Sequence, residues 1–253
     1  MEDNKICVLI PVYNCENKIK GVIASVLMYT SDVLVVNDGS TDNTLSVIQE
    51  FKNITIVSYP KNKGKGYALW KGFKKAAELG FTAVITMDGD GQHLAKDLKR
   101  FFDFSRNAPH VISVGARYFD VPNMPSGSVF ANKFSNFWFT WLTTKKLPDT
   151  QSGFRYYPIY RMKKMRPFTN RFETEFELLV RAAWRGIYIC AFPVSVHYDP
   201  KEERISHFRP KMDFLRISLL NFCLCIIAII YGYPSTLYYN LKEKIEYLLE
   251  KDD

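Results

Sequence analysis

The chain has 253 residues, enough for one large domain or a domain with an appendage. Its 47% hydrophobic and 15% aromatic content excludes a globally disordered chain. Lys and Arg number 34 against 26 Asp and Glu, and the resulting +8 suits an anionic partner: a nucleotide, a phospholipid headgroup or nucleic acid.

Strand-like apolar runs recur at "ICVLIPV" (6–12), "VLVVN" (33–37), "ITIVSY" (54–59), "TAVITM" (82–87) and "VISVGA" (111–116). Helix-like segments lie between them at 16–29, 41–51, 66–79 and 95–105. This alternation predicts an α/β domain around a parallel sheet. The strands are continuous apolar runs, as burial on both faces requires. Ligands of such sheets sit at the carboxyl ends of the strands, and the polar motifs of this chain fall there. Ser40, Thr41 and Asp42 are N-cap candidates for the second helix.

The pattern changes from residue 121, with a loop-like "VPNMPSGS" and then the aromatic "VFANKFSNFWFTWLTTKK". Residues 173–186 predict a helix ending at Gly186, and 187–198 a late strand. Residues 214–233, "FLRISLLNFCLCIIAIIYGY", are nearly all apolar, and Pro234 is expected to end that helix. A spanning helix needs about 20 apolar residues. The alternatives are a buried core helix and a membrane-contacting one. The basic lead-in and the tyrosines at 231, 233, 238 and 239 favour a helix lying in or shallowly under the interface. The domain reading is a catalytic unit over 1–210, with membrane-associating helices over 211–253.

The five cysteines are odd in number and form no CxxC pair, which argues against a disulfide framework and for a reducing compartment. The acidic, polar N-terminus carries no secretory signal, so the expected location is the cytoplasm or the cytoplasmic face of a membrane. No recognition helix or RNA-type aromatic motif supports a nucleic-acid partner.

"DGDGQH" (88–93) follows a buried strand and sets Asp88 and Asp90 two residues apart, with Gln92 beyond. Hard oxygen ligands of this kind suit Mg²⁺ or Mn²⁺ completed by phosphate oxygens and water. Gly89 and Gly91 allow a turn and a close approach. Taken alone, such a string also fits an acidic surface turn. It is preceded by "PVYNCE" (11–16), "VVNDGSTDNT" (35–44) and "NKGKGYALWKG" (62–72), each at a strand end or a helix start. In order and spacing the four motifs resemble the family 2 glycosyltransferases of the GT-A fold, and within them the polyprenyl-phosphate (dolichyl-phosphate) mannose and glucose synthases.

The resemblance implies a metal-dependent, inverting transferase that moves mannose or glucose from a GDP- or UDP-linked donor to a polyprenyl phosphate at a membrane. Pro11, Tyr13, Asn14 and Glu16 would line the base and ribose pocket, and Asp38 would accept a hydrogen bond from the base. Asn37 departs from the family's "DDGS" form at its first acid. Gly64, Lys65 and Gly66 would lie along the nucleotide. Asp88, beside Gly89, would approach the ribose or the metal, and Asp90 and Gln92 the metal and the diphosphate. "VGARY" (114–118) and "DTQSGFR" (149–155) match the same enzymes, so Arg117, Ser152 and Arg155 would grip an acceptor phosphate through charge-assisted bonds. Glu173 and Glu175 would orient the acceptor site or form the polar face of a helix. Arg204, Ser206 and His207 would belong to a loop near the diphosphate. His93 and His197 read as structural. A hydroxyl acceptor would need a general base, and Asp149 is the candidate; an acceptor phosphate would need none. Two alternatives are the same fold acting on a lipid or glycan hydroxyl, and a silent nucleotide-binding membrane scaffold.

Overall fold

The computed structural model describes residues 4–118, 127–198 and 210–249. Its first half alternates strand and helix: β1 (Ile6–Val12), α1 (Glu16–Leu27), β2 (Val33–Asn37), α2 (Thr44–Gln49), β3 (Thr55–Ser58), α3 (Lys65–Glu78), β4 (Ala83–Thr86), α4 (Leu98–Asn107) and β5 (Ile112–Arg117). There follow α5 (Ser128–Thr143), β6 (Arg155–Tyr157), α6 (Ile159–Met162), α7 (Glu173–Trp184), β7 (Ile189–Val194), α8 (Pro210–Ile227) and α9 (Tyr233–Leu249). The seven strands form one sheet in the order β3-β2-β1-β4-β6-β5-β7.

The sheet is mostly parallel, as the strand–helix alternation predicts, and the interior strand β1 is paired in parallel with both β2 and β4. From β1 the chain winds to β2 and β3 on one side and then returns to β4 on the other, so the crevice over the carboxyl ends of β1 and β4 is the ligand position of a doubly wound sheet. Strand β6 is the exception, antiparallel to both β4 and β5. Its three residues carry no readable period and take strand form only because Thr86 and Val114 both register on Arg155.

Both faces of the sheet are covered, which explains the unbroken apolar strands. Val8, Ile10 and Ile85 pack with α1 and α4, while Leu9, Val84 and Val114 pack with α3, α5, α7 and α8. Helix α7 is buried along almost its whole length, including Glu173, Glu175 and Glu177. The N-cap position of α2 is Asn43, one residue beyond the expected candidates, and it makes no side-chain cap; Asp42, just before it, accepts from the Thr44 amide through Oδ1.

Pro234 does not end the C-terminal helix. Residues 228–232 form a π-type turn in which the Tyr233 amide donates to the Ala228 carbonyl, and the helix continues into α9. The extra residue in the turn accommodates a proline that lacks an amide donor, and the Thr236 hydroxyl donates to the Gly232 carbonyl. The apolar stretch is therefore longer than the sequence pattern indicates: Leu215–Ile245, 31 residues with a window hydropathy of 2.0, long and apolar enough to cross a membrane. One side docks on the domain through Leu220, Leu224 and Ala228, against α5 and α7. The other side exposes Phe222, Ile226, Ile229 and Ile230, and α5, which packs against α8, exposes Phe130 and Phe137.

Candidate active site

Three loops meet over the carboxyl ends of β1, β2 and β4. The β1 and β2 loops are sewn together by short polar side chains. Asn14, at positive φ, accepts from the Thr41 amide at 2.8 Å, and its own amide donates to the Ser40 hydroxyl. Glu16 accepts from the Asn43 amide at 2.8 Å. Pro11 is buried in β1 opposite Val36. Asn14 and Glu16 thus shape a rigid rim rather than a loose loop, and half-buried Tyr13 stands on it.

Asp38 is buried under this rim. Its carboxylate accepts from the amides of Lys63 (2.7 Å) and Gly64 (2.8 Å) and from the Asn62 side chain (3.0 Å). Burial pushes its carboxyl above the usual range, against those donors. Asp38 therefore anchors the loop that starts α3. Gly64 at φ 100 is required there, since a side chain would run into the Asn170 carbonyl.

Lys65, the first residue of α3, carries the central contact of the site. Its Nζ lies 2.7 Å from Asp88 Oδ1 and 2.7 Å from Glu175 Oε2, joining α3, the end of β4 and the start of α7. Burial lowers the lysine's proton affinity, but the two carboxylates outweigh it and keep the ammonium charged. Burial likewise opposes ionisation of Asp88, and Lys65 outweighs it, leaving that carboxyl below its ordinary value. Gly153 closes the cluster from below: a methyl there would overlap both Asp88 Oδ2 and Lys65 Nζ. The Thr86 hydroxyl pins the Gly153 carbonyl at 2.7 Å.

Asp90 makes no ion pair among the described residues. Burial and the neighbouring Asp88 charge push it up to about 6, while the Gln92 amide donates to its Oδ1 at 2.9 Å. The tight turn between them rests on Gly91 at φ 78. Asp88 and Asp90 thus form a hard-oxygen pair in which Lys65 offsets Asp88 while the crowded Asp90 charge is the one a divalent cation would relieve. Among the described residues no three His, Cys, Asp or Glu side chains converge into a metal cage. A cation held here would complete its shell with non-protein oxygens. His93 lies beneath, its ring 5.2 Å from that of Phe154, and burial drives it down to about 4, so it is neutral.

The second half contributes Arg117 at the end of β5. Asp149, fully buried, receives Arg117 Nε (2.7 Å), Nη2 (3.0 Å) and backbone amide (3.1 Å), together with the amides of Gln151 and Ser152. Burial would raise the Asp149 carboxyl, but the Arg117 bonds and charge hold it below its usual range. The pair is a bidentate fork that fixes the guanidinium in place.

Comparison with known proteins decides the family. The model of "Glycosyl transferase family 2" matches residues 7–166. The chain belongs to that family. The glycosyltransferase is 29% identical over 220 residues to the UDP-N-acetylglucosamine–dolichyl-phosphate N-acetylglucosaminyltransferase of Methanococcus voltae, covering 78% of this chain and 88% of that one. It is 28% identical over 160 residues to the polyprenol monophosphomannose synthase of Mycolicibacterium smegmatis, covering 59% and 60%. Among solved structures, glucosyl-3-phosphoglycerate synthase from Mycobacterium tuberculosis, in complex with Mn²⁺, UDP and phosphoglyceric acid, superposes with a TM-score of 0.65 at 17% identity, covering 89% of this chain and 78% of that one. This likeness shows the GT-A fold.

Not every residue expected to face substrate does so in this glycosyltransferase. Arg155 is fully buried beneath the site. Its Nε donates to Ser152 O, Nη1 to Glu175 O and the Tyr157 hydroxyl, and Nη2 to Thr150 O. Ser152 is buried too, its hydroxyl accepting from the Phe154 amide. These two hold the loop that carries Asp149 and Gly153. Arg204, Ser206 and His207 lie outside the described residues. Sequence reasoning passed over Gly153, although it sits inside the "DTQSGFR" motif, and left Glu175 undecided between an acceptor role and a helix face. A lysine opposite two acids is visible in the sequence only when the fold brings residues 65, 88 and 175 together.

Proposed function

We propose that the protein is an inverting, divalent-metal-dependent glycosyltransferase that moves a hexose or N-acetylhexosamine from a nucleotide sugar to a polyprenyl phosphate at a membrane surface. The observation that carries the reading is the Asp88–Asp90 pair at the crevice of the sheet, beside the rim of the β1 and β2 loops, with Asp90 crowded by the Asp88 charge and in no ion pair among the described residues. The relatives named for dolichyl- and polyprenyl-phosphate acceptors supply the acceptor class. A UDP-linked donor is the first to test, given the M. voltae relative's name and the UDP-bound fold neighbour.

In this reading Asp88 and Asp90, with Gln92 nearby, hold Mg²⁺ or Mn²⁺. The cation supplies neutralisation of the charge that develops on the departing diphosphate. Tyr13, Asn14, Glu16 and the 62–65 loop bound the nucleotide. Arg117, oriented by Asp149, holds the acceptor phosphate beside the anomeric carbon. An oxygen of that phosphate, already ionised near neutral pH, forms the new bond to the carbon. The bond to the diphosphate breaks on the opposite face, and its electron pair leaves with the nucleoside diphosphate. No general base is required. Asp149, saturated by five donors, is assigned to positioning rather than to proton abstraction, which disfavours a hydroxyl acceptor.

The apolar outer side of α8 and the adjoining Phe130 and Phe137 support membrane contact by a helix lying along the surface, because its inner side is docked on the domain. The five free cysteines suit the cytoplasmic side. The test is transfer of labelled sugar from a panel of UDP- and GDP-sugars to a short-chain polyprenyl phosphate, with Mn²⁺, with Mg²⁺ and with chelator. Transfer to the phosphate that chelator abolishes supports the reading. Transfer only to hydroxyl acceptors, or transfer indifferent to chelator, refutes it.

A further inference from the structure

The positive charge of this protein is not spread over its surface. Residues 51–77 contain seven lysines, residues 150–172 contain six lysines and arginines, and neither stretch has an Asp or Glu. The remaining 21 basic residues are outnumbered by the chain's 26 acids, so the whole net +8 resides in these two stretches. Lys65 and Arg155 are used inside the site. Most of the others are exposed or half-buried at the surface.

The fold brings the two stretches together. The Tyr67 amide donates to the Asn170 carbonyl at 3.0 Å, seating residues 166–171 alongside α3. Arg166 then lies 5.3 Å over the Trp70 ring, Lys71 5.5 Å over the same ring, and Lys63 4.7 Å over Tyr67. Arg181 stacks at 4.0 Å on Phe168, whose own ring is 68% exposed. The result is a strip of cations held on aromatic faces along α3, a helix of 14 residues and so about 21 Å long. Arg181 is paired with Glu177 and mostly buried, so it braces Phe168 rather than adding to the exposed charge; along α3 itself no acid follows Lys65 before Glu78 at the far end. Helix α3 lies on the same side of the sheet as α7, which it touches and which α5 and α8 also pack against, and the outer sides of α5 and α8 are apolar.

We propose that this strip docks on the headgroups of anionic phospholipids, beside the apolar contact of α5 and α8. The inference rests on the membrane reading above and adds to it a lipid preference and the surface that reads it. Cations supply attraction to a negatively charged leaflet, and Trp70, Tyr67 and Phe168 suit the boundary between headgroup and acyl chain. Nucleic acid would satisfy the charge but would leave the neighbouring apolar surface without a partner.

The test is flotation of the full chain with vesicles of phosphatidylcholine alone and with about one third phosphatidylglycerol. Wild type is expected to bind the anionic vesicles more tightly, with an advantage that shrinks as salt rises. Replacing Lys71→Gln, Lys74→Gln and Arg166→Gln together is expected to weaken binding to anionic vesicles on the order of 100-fold, at about one elementary contribution per cation, while leaving binding to neutral vesicles unchanged. If that variant melts early, the exposed set Lys74→Gln, Lys163→Gln and Lys164→Gln replaces it. A folded variant that binds anionic vesicles as wild type does overturns the strip and leaves the membrane reading standing. Wild type that floats with neither vesicle overturns both. Salt-sensitive binding to a short RNA that is tighter than vesicle binding, and lost in the variant, overturns the lipid assignment in favour of nucleic acid.

Discussion

Replacing Asp149 with asparagine separates a positioning role from a catalytic-base role. The carboxylate takes five donors, three of them from Arg117, and is fully buried. An asparagine amide turns one of those acceptors into a donor facing other donors and removes the counter-charge of Arg117. Breaking a buried ion pair on one side costs about 3–5 kcal/mol. The Arg117 side chain keeps 14% exposure and can be partly rehydrated, so the lower end, about 3 kcal/mol, applies. For a chain of this length that corresponds to a fall in Tm of roughly 6–12 °C. The pH dependence has a definite sign. The folded-state carboxyl lies below its ordinary value, so its stabilisation is present above the ordinary range, near pH ~4, and fades as pH falls through and below it. The Tm gap between wild type and Asp149→Asn, followed by circular dichroism, is therefore expected to be wide at neutral pH and to close in acid. Acceptor KM should rise with the lost clamp, without a new titrating limb in the rate profile. Equal Tm values at neutral pH, or a gap that widens toward acid, refute the reasoning.

Asp90→Asn should abolish sugar transfer yet raise the Tm of chelator-treated protein at pH 7.5. The folded carboxyl is raised to about 6, so its ionised form opposes folding above that pH, and the effect disappears as pH falls toward the unfolded value; a variant less stable than wild type at pH 7.5 contradicts this. Gly153→Ala should drive apart the Lys65–Asp88 contact and reduce turnover by at least about tenfold, while far-UV circular dichroism stays native; full turnover in the alanine variant would show that the cluster tolerates displacement. Arg155→Lys should lower Tm by several degrees, because one ammonium cannot serve three carbonyls and a hydroxyl in the arginine's planar geometry. A rise in acceptor KM with Tm unchanged would instead place Arg155 at the phosphate.

Much of this molecule is determined locally. Continuous apolar runs such as "ICVLIPV" and "VLVVN" carry strand propensity and two-sided burial in the same residues, so the parallel half of the sheet follows from them. The polar motifs at strand ends place a site at the crevice over β1 and β4, and Asp88 and Asp90 announce its charge. What tertiary structure decided depends on partners distant in the chain. Three-residue β6 has no period of its own and exists through its register with β4 and β5. Pro234 carries a local stop signal that a π-type turn overrides, with the helix docked on the domain ahead of it and Thr236 bonded to Gly232 after it. An arginine in a phosphate-like motif looks the same in sequence whether its fork meets solvent, as Arg117 partly does, or buried carbonyls, as Arg155 does. Local pattern encodes propensity and polarity. Which charge meets which is set by contacts between residues 65, 88 and 175, or 117 and 149, and those arise only once the chain has folded.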